Sequence, residues 1–156
     1  MAQKPKQPLQ QTAIGYIPSH YVEKSQSVHS NFCRFLSALL DSYYGSKAKE
    51  VQERLMEDYR LGATRDGSVI FWQIDRENKV RTGKVMQYNP GDGHRVKDGQ
   101  ASAVNWIHSI LKRQRVLAEE WQLFQCLFGE HLLNVYPDKV AVLVESEKLS
   151  LIHISE

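Results

Sequence analysis

The feature that most constrains the fold is a run of five consecutive apolar residues, Val140-Ala-Val-Leu-Val144, entered through the turn Tyr136-Pro-Asp138. Successive side chains of a strand point to opposite faces, so a half-buried strand alternates and an unbroken apolar run fits a strand covered on both faces. Such a strand needs neighbours, and without them Val140–Val144 would be exposed or imperfectly docked and would promote aggregation. The run ends in Glu145-Ser-Glu-Lys148. In open α/β sheets the carboxyl ends of the strands are where ligands bind, which makes this end the first place to look for chemistry.

The rest of the chain predicts an α+β fold. From Ser27 onward, Val28, Phe32, Phe35, Leu36, Leu39, Leu40 and Tyr43 recur at three- and four-residue spacing, and Gly45 closes the helix they define. Ser46 is placed to cap a second helix with Ala48, Val51, Leu55 and Tyr59 on its apolar face and Gly62 as its terminator. The pair forms a helical hairpin whose stripes serve core packing. The chemistry then turns β: Ser68–Ile74 and Val80–Tyr88 are dense in β-branched and aromatic residues around the polar turn Asp75-Arg-Glu-Asn78, predicting a β-hairpin. Ala103, Trp106, Ile107, Ile110, Leu111, Leu117 and Trp121 fit a further helix, with a break allowed between Gln114 and Glu120. Gln122–Phe128 is a short extended run.

Composition narrows the function classes. The 156 residues hold 20 Lys plus Arg against 18 Asp plus Glu, a formal charge of +2, so the chain is no general trap for polyanions and nucleic-acid contact requires local clustering. Cys33 and Cys126 have no Cys or His at ligand spacing, so neither a zinc site nor a disulfide framework is predicted, and a reducing, cytoplasmic setting is expected. No stretch approaches the roughly 20 apolar residues that cross a bilayer. Residues 1–13, rich in Gln, Lys and Pro, are expected to be a disordered tail or linker.

Three segments together resemble bacterial replicative primases and toprim proteins. Val140–Lys148 resembles the opening of a toprim domain, an apolar strand followed by Glu, a small residue, Glu and Lys. Gln125-Cys-Leu-Phe-Gly-Glu-His-Leu-Leu133 is similar to the segment that precedes that strand. Val69-Ile-Phe-Trp-Gln-Ile-Asp75 with Val80-Arg-Thr-Gly-Lys84 is similar to a hairpin of the primase catalytic subdomain. From Tyr16-Ile-Pro-Ser19 to Val144-Glu-Ser-Glu-Lys148, the chain resembles an uncharacterised toprim-containing, primase-like family of bacterial mobile elements.

The resemblance implies a primase-like region over 14–135 and the start of a toprim domain over 136–148. It also implies that a zinc finger precedes this region and that the rest of the toprim domain follows it in complete proteins. Glu145 would be the toprim glutamate, acting as general acid/base or helping to hold Mg²⁺ at a phosphoryl centre, with an Asp-x-Asp pair further on completing the metal site. Ser146 stands where many toprim proteins have Gly. Arg81 and Lys84 would hold the phosphates of single-stranded DNA or of nucleotides, the alternative being solvated strand charges, and Lys148 is a further phosphate contact. The complete protein would be an Mg²⁺-dependent nucleotidyltransferase on DNA, and this chain alone is expected to be inactive; the competing reading is a non-catalytic nucleic-acid or protein interaction module. Leu149–Glu156 looks like the translation of a transposase end sequence used to prepare sequencing libraries, so 149–156 is expected to be a non-native tail.

The remaining candidates have plainer readings. Lys112, Arg113 and Arg115 could touch a phosphate backbone, but Glu119 and Glu120 partly cancel them. Trp72, Trp106 and Trp121 could stack on bases or simply pack. His108 and His131 lack ligand-spaced partners, and Cys126, between Leu123, Phe124, Leu127 and Phe128, is expected to be a buried small hydrophobe rather than a nucleophile.

Overall fold

The computed structural model describes residues 15–97 and 104–152, so the tail expected over 1–13 and the last four residues of the segment 149–156 lie outside the described residues. The architecture is α+β. Its centre is a four-stranded antiparallel sheet in the order β1 (Gly62–Ala63), β2 (Val69–Ile74), β3 (Val80–Met86) and β4 (Asn105–Trp106). The predicted hairpin is β2 and β3, with Phe71 opposite Lys84 and Trp72 opposite Gly83, and a register shift at Gln73/Ile74.

Every residue of β2 is buried, because the sheet is covered on both faces. Val69, Phe71 and Met86 point to one side and pack on Phe32, Leu36 and Leu40 of α2 (Asn31–Tyr44), with Leu61, Tyr88 and Leu151 in the same cluster. Ile70, Trp72, Ile74 and Val85 point to the other side, against Ile17, against Val22 of α1 (His20–Ser25), and against Ile107 and Leu111 of α4 (Ile107–Arg113). Trp72 is 1% exposed, and its indole N–H donates to Ser25 Oγ at 2.9 Å, so the ring is buried without orphaning its polar atom. Gly83 makes room for this layer: a Cβ there would lie 2.8 Å from both Ile107 and Ile70.

The helical hairpin forms, with different ends. α2 begins at Asn31 rather than Ser27, since Ser30 Oγ accepts from the Cys33 N–H at 3.1 Å and supplies the cap, which leaves Val28 outside and 48% exposed. Gly45 closes the helix at φ +52°, its N–H donating to Asp41 O. Ser46 caps nothing. It lies in a 3-10 turn, Gly45–Lys47, that runs directly into α3 (Ala48–Tyr59) and satisfies the Ala48 N–H through Gly45 O. α3 is ended by Arg60 in the left-handed conformation, not by Gly62. Gly62 instead belongs to β1, where a Cβ would meet Ser25 Oγ and come within 2.9 Å of Trp72 Nε1.

The helix expected over Ala103–Trp121 is shorter because pairing of Lys84 with Trp106 draws Asn105–Trp106 into the sheet edge, and Ala103 lies outside the described residues. α4 ends at Arg113, and two residues on Arg115, at φ 57°, turns the chain so that Val116 N–H donates to Leu111 O and Arg115 N–H to Lys112 O, each at 2.9 Å. Leu123–Leu127 carry no regular structure. A short helix α5 (Leu132–Val135) follows, and α6 (Glu147–Ile152) ends the described chain.

Val140–Val144 is not a sheet strand among the described residues. No ladder partner flanks it, and Val140, Val142 and Leu143 are 90%, 70% and 80% exposed. An apolar run can bury both faces only where layers exist to cover it, and β2 takes the two available here. The described helices include none long and apolar enough to cross a membrane.

Candidate functional site

The segment 140–144 leads to Glu145, which lines an open groove of about 300 Å³ together with Gln73 of β2, Cys126, Phe128, Glu130, Leu143 and Glu147. Glu145 is exposed. Glu147, in the first turn of α6, is held by Lys84 of β3, whose Nζ donates to both carboxylate oxygens at 3.1 and 3.0 Å. This pair ties α6 to the sheet and leaves Lys84 neutralised. Lys148 turns away from the groove: its Nζ donates to Gly93 O and sits 5.3 Å from the Phe35 ring centre and 5.9 Å from that of Tyr88. Burial first and the Glu147 carboxylate second push the Tyr88 phenol up to about 12, so it stays neutral.

Arg81 stands apart from these residues. It is 8% exposed, and its Nε donates to Asp75 Oδ2 at 2.7 Å while the guanidinium lies over the rings of Tyr16 and Phe124, 4.6 and 5.3 Å from their centres. Asp75 Oδ1 meanwhile accepts the backbone N–H groups of Glu77 and Lys79, which fixes the hairpin turn. Of the residues singled out from the sequence, then, Glu145 and Lys84 meet at one groove, the latter through Glu147. Lys148 and Arg81 are occupied elsewhere.

Two features, one in the groove and one outside it, were not visible in the sequence. Gln73 is 8% exposed and its Oε1 has no hydrogen-bond partner among the described residues, although Gln in a hydrophobic strand carries no motif. Outside the groove, Thr82 of β3, the register partner of Gln73, brings its Oγ1 within 2.8 Å of His108 Nδ1, and the His108 ring stacks on Trp121 at 5.8 Å and tilts against Trp106 at 5.9 Å. Burial, then the charge of Lys112, lowers the pKa of this imidazole, which keeps it uncharged at neutral pH. The Cys126 thiol is pushed up to about 12, mainly by burial and then by Glu130 and Asp75, so it is protonated and a poor nucleophile. The groove can therefore accept hydrogen bonds at Glu145 and Gln73, but among the described residues it holds no activated nucleophile. Among the described residues no group of three or more His, Cys, Asp or Glu converges as a metal site.

Neither the curated proteins nor the solved structures contain a match to this chain. Residues 30–155, from just before α2 to beyond α6, match the family described as Domain of unknown function (DUF6371), and the chain belongs to that family.

Proposed function

We propose that this chain is part of a primase-like, toprim-type DNA-processing protein, in which Glu145 serves as the toprim glutamate of a nucleotidyl-transfer centre. The observation that supports this reading is the succession of an apolar segment, an exposed carboxylate at its C-terminal end, and a helix that starts two residues later at Glu147. This is the order of parts that a strand-borne general acid/base requires, with Ser146 as the turn between them.

The donor set present does not amount to an Mg²⁺ site. Glu145 offers one carboxylate, Glu130 accepts the Leu127 N–H and Glu147 is already claimed by Lys84, and the three do not converge, whereas Mg²⁺ in phosphoryl transfer is held by carboxylates and substrate phosphates together. No step is therefore routed through the metal, and in this reading the remaining carboxylates come from sequence beyond these residues. Glu145, exposed and unclaimed, is left to accept a proton from, or polarise, a hydroxyl brought to the groove.

The competing reading, a non-catalytic binding module, is favoured by the pairing of Arg81 with Asp75 and of Lys84 with Glu147, which leaves the hairpin no unneutralised cation at either position. One experiment separates the two. The encoding locus is read continuously past the Lys148 codon, and the protein it specifies is assayed for Mg²⁺-dependent incorporation of labelled nucleotide on a single-stranded template, with and without Glu145→Gln. Loss of incorporation with template binding retained supports catalysis at Glu145. Unchanged incorporation, or none in the parent, refutes it and leaves the binding module.

A further inference from the structure

At the far end of β2 from Glu145 lies a second, polar groove of about 510 Å³, formed by the end of α1, the start of α2 and the turn between β1 and β2. Lys24, Arg34 and Arg65 line it from these three elements, and all three are exposed. None has an acidic partner within 4.0 Å among the described residues. The groove's one carboxylate, Asp66, is turned into its own loop: it accepts from the Thr64 hydroxyl and, at 3.2 Å, from the Ser68 N–H. The Thr64 bond, above all, holds that carboxyl below the usual range, so it stays ionised, and the lining sets three cations against this one carboxylate.

This arrangement runs against what stability alone would select. Three like charges gathered in one concavity repel one another. α2 has no acidic residue in its first turn and carries Arg34 there, the sign opposite to the one its positive N-terminal end prefers. In a chain whose formal charge is only +2, three unpaired cations around a hydroxyl-rich groove form a local positive centre rather than a share of a general excess. The loop geometry that builds it is specific. Gly67, at φ +84°, places its carbonyl to accept the Asn31 N–H at 2.9 Å, and a Cβ on it would press to 3.3 Å from the Asn31 side chain.

We infer that this groove binds the phosphodiester backbone of a single-stranded nucleic acid through Lys24, Arg34 and Arg65. Its lining contains no Phe, Tyr or Trp, so it offers no platform for stacking bases. Contacts are then to phosphates and sugars, with the Ser27 hydroxyl and the second amide hydrogen of Asn31 as secondary donors, since the Ser25 and Thr64 hydroxyls already donate to Val22 O and Asp66, and binding is indifferent to sequence. The site shares no residue with the Glu145 groove and does not depend on the catalytic reading of it.

The test uses the whole chain and a fluorescein-labelled dT12 oligonucleotide, with anisotropy followed from 50 to 200 mM NaCl. The variant Lys24→Ala/Arg34→Ala/Arg65→Ala is compared with Lys47→Ala/Lys49→Ala/Arg115→Ala, which removes the same charge from exposed positions elsewhere. The groove variant is expected to lose at least about tenfold in affinity at low salt and to flatten the log K against log salt slope by about 2, at roughly 0.7 per phosphate contact. The control variant is expected to change far less, and circular dichroism of both to match the parent. Equal losses in the two variants, or no binding by the parent, overturn the inference. Inorganic tripolyphosphate supplies the last arm: if it binds more tightly than dT12 per molecule and displaces it fully, the groove takes free polyphosphate and the assignment to a nucleic-acid strand fails.

Discussion

Replacing Arg81 separates a structural role from a phosphate-binding one. Its guanidinium and the Asp75 carboxylate are 10% and 3% exposed and meet at 2.7 Å, so neither charge is appreciably screened by water. In Arg81→Ala the Asp75 Oδ1 atom keeps its two backbone donors from Glu77 and Lys79, but Oδ2 loses its only hydrogen-bond donor among the described residues. Breaking a buried pair by removing one partner costs about 3–5 kcal/mol, and the retained Oδ1 bonds put this case at the lower end. Loss of the contacts with the Tyr16 and Phe124 rings adds about 0.5–1 kcal/mol each, less any repacking. The total is about 4–5 kcal/mol, and at about 2–4 °C per kcal/mol for a domain of this size the thermal midpoint should fall by about 8–20 °C, with a matching drop in urea midpoint. Asp75→Asn should destabilise in the same direction, and the double variant should lose less than the sum, with a coupling above about 1 kcal/mol. A shift under about 2 °C for Arg81→Ala, together with a flatter salt dependence of oligonucleotide binding, would refute the structural role and return Arg81 to the surface.

Further predictions follow from the core and from one buried ring. Gly83→Ala should cost about 1–3 kcal/mol in urea unfolding, since its new methyl would sit 2.8 Å from Ile70 and Ile107 on opposing elements; a neutral result would mean that α4 is free to move off the sheet. His131, 2% exposed, donates from Nε2 to Asp58 O at 2.8 Å and has no partner for Nδ1 among the described residues, and burial lowers its pKa from the ordinary 6.5. The unfolded chain therefore binds this proton more tightly than the folded one. Its stabilisation is complete above pH 6.5 and is lost as pH falls from there toward the lowered folded value, so the thermal midpoint should drop between pH 7 and 5 and the drop should shrink in His131→Gln. A midpoint equally flat in both proteins would contradict the burial of that ring.

Much of the scaffold was legible because it rests on local rules. The stripe ending at Gly45 and the β-branched runs around Asp75–Asn78 follow from periodicity and turn chemistry and are present. The misses share a cause, competition from distant partners. Ser30 outcompetes the Ser27 start because Gly67 O is there to receive the Asn31 N–H, and Asn105–Trp106 join β3 instead of lengthening α4. The site was less legible still. Arg81 and Lys84 stand three residues apart on one strand, yet the first is buried against the turn before it and the second pairs with Glu147, 63 residues away. The cations of the second groove, Lys24, Arg34 and Arg65, have no common spacing, and only the meeting of three elements brings them together.

β2 and Val140–Val144 carry nearly the same apolar signature and meet opposite fates, and this difference yields a prediction about solubility. β2 is central because β1 and β3 satisfy its backbone and two helical layers cover its faces. Residues 140–144 have no regular secondary structure and no ladder among the described residues, and carry three large side chains at 70–90% exposure, which is the condition under which an apolar segment pairs with another molecule. Val142→Lys puts a charge in the middle of that segment without touching the core. It should leave the thermal midpoint within about 1 °C, because a surface substitution at 70% exposure removes little buried area. Concentration-dependent light scattering should fall at the same time. If Val142→Lys instead lowered the midpoint by several degrees, the segment would have to be docked in solution, and the groove beside Glu145 would be a closed interior rather than an open edge awaiting a sheet partner.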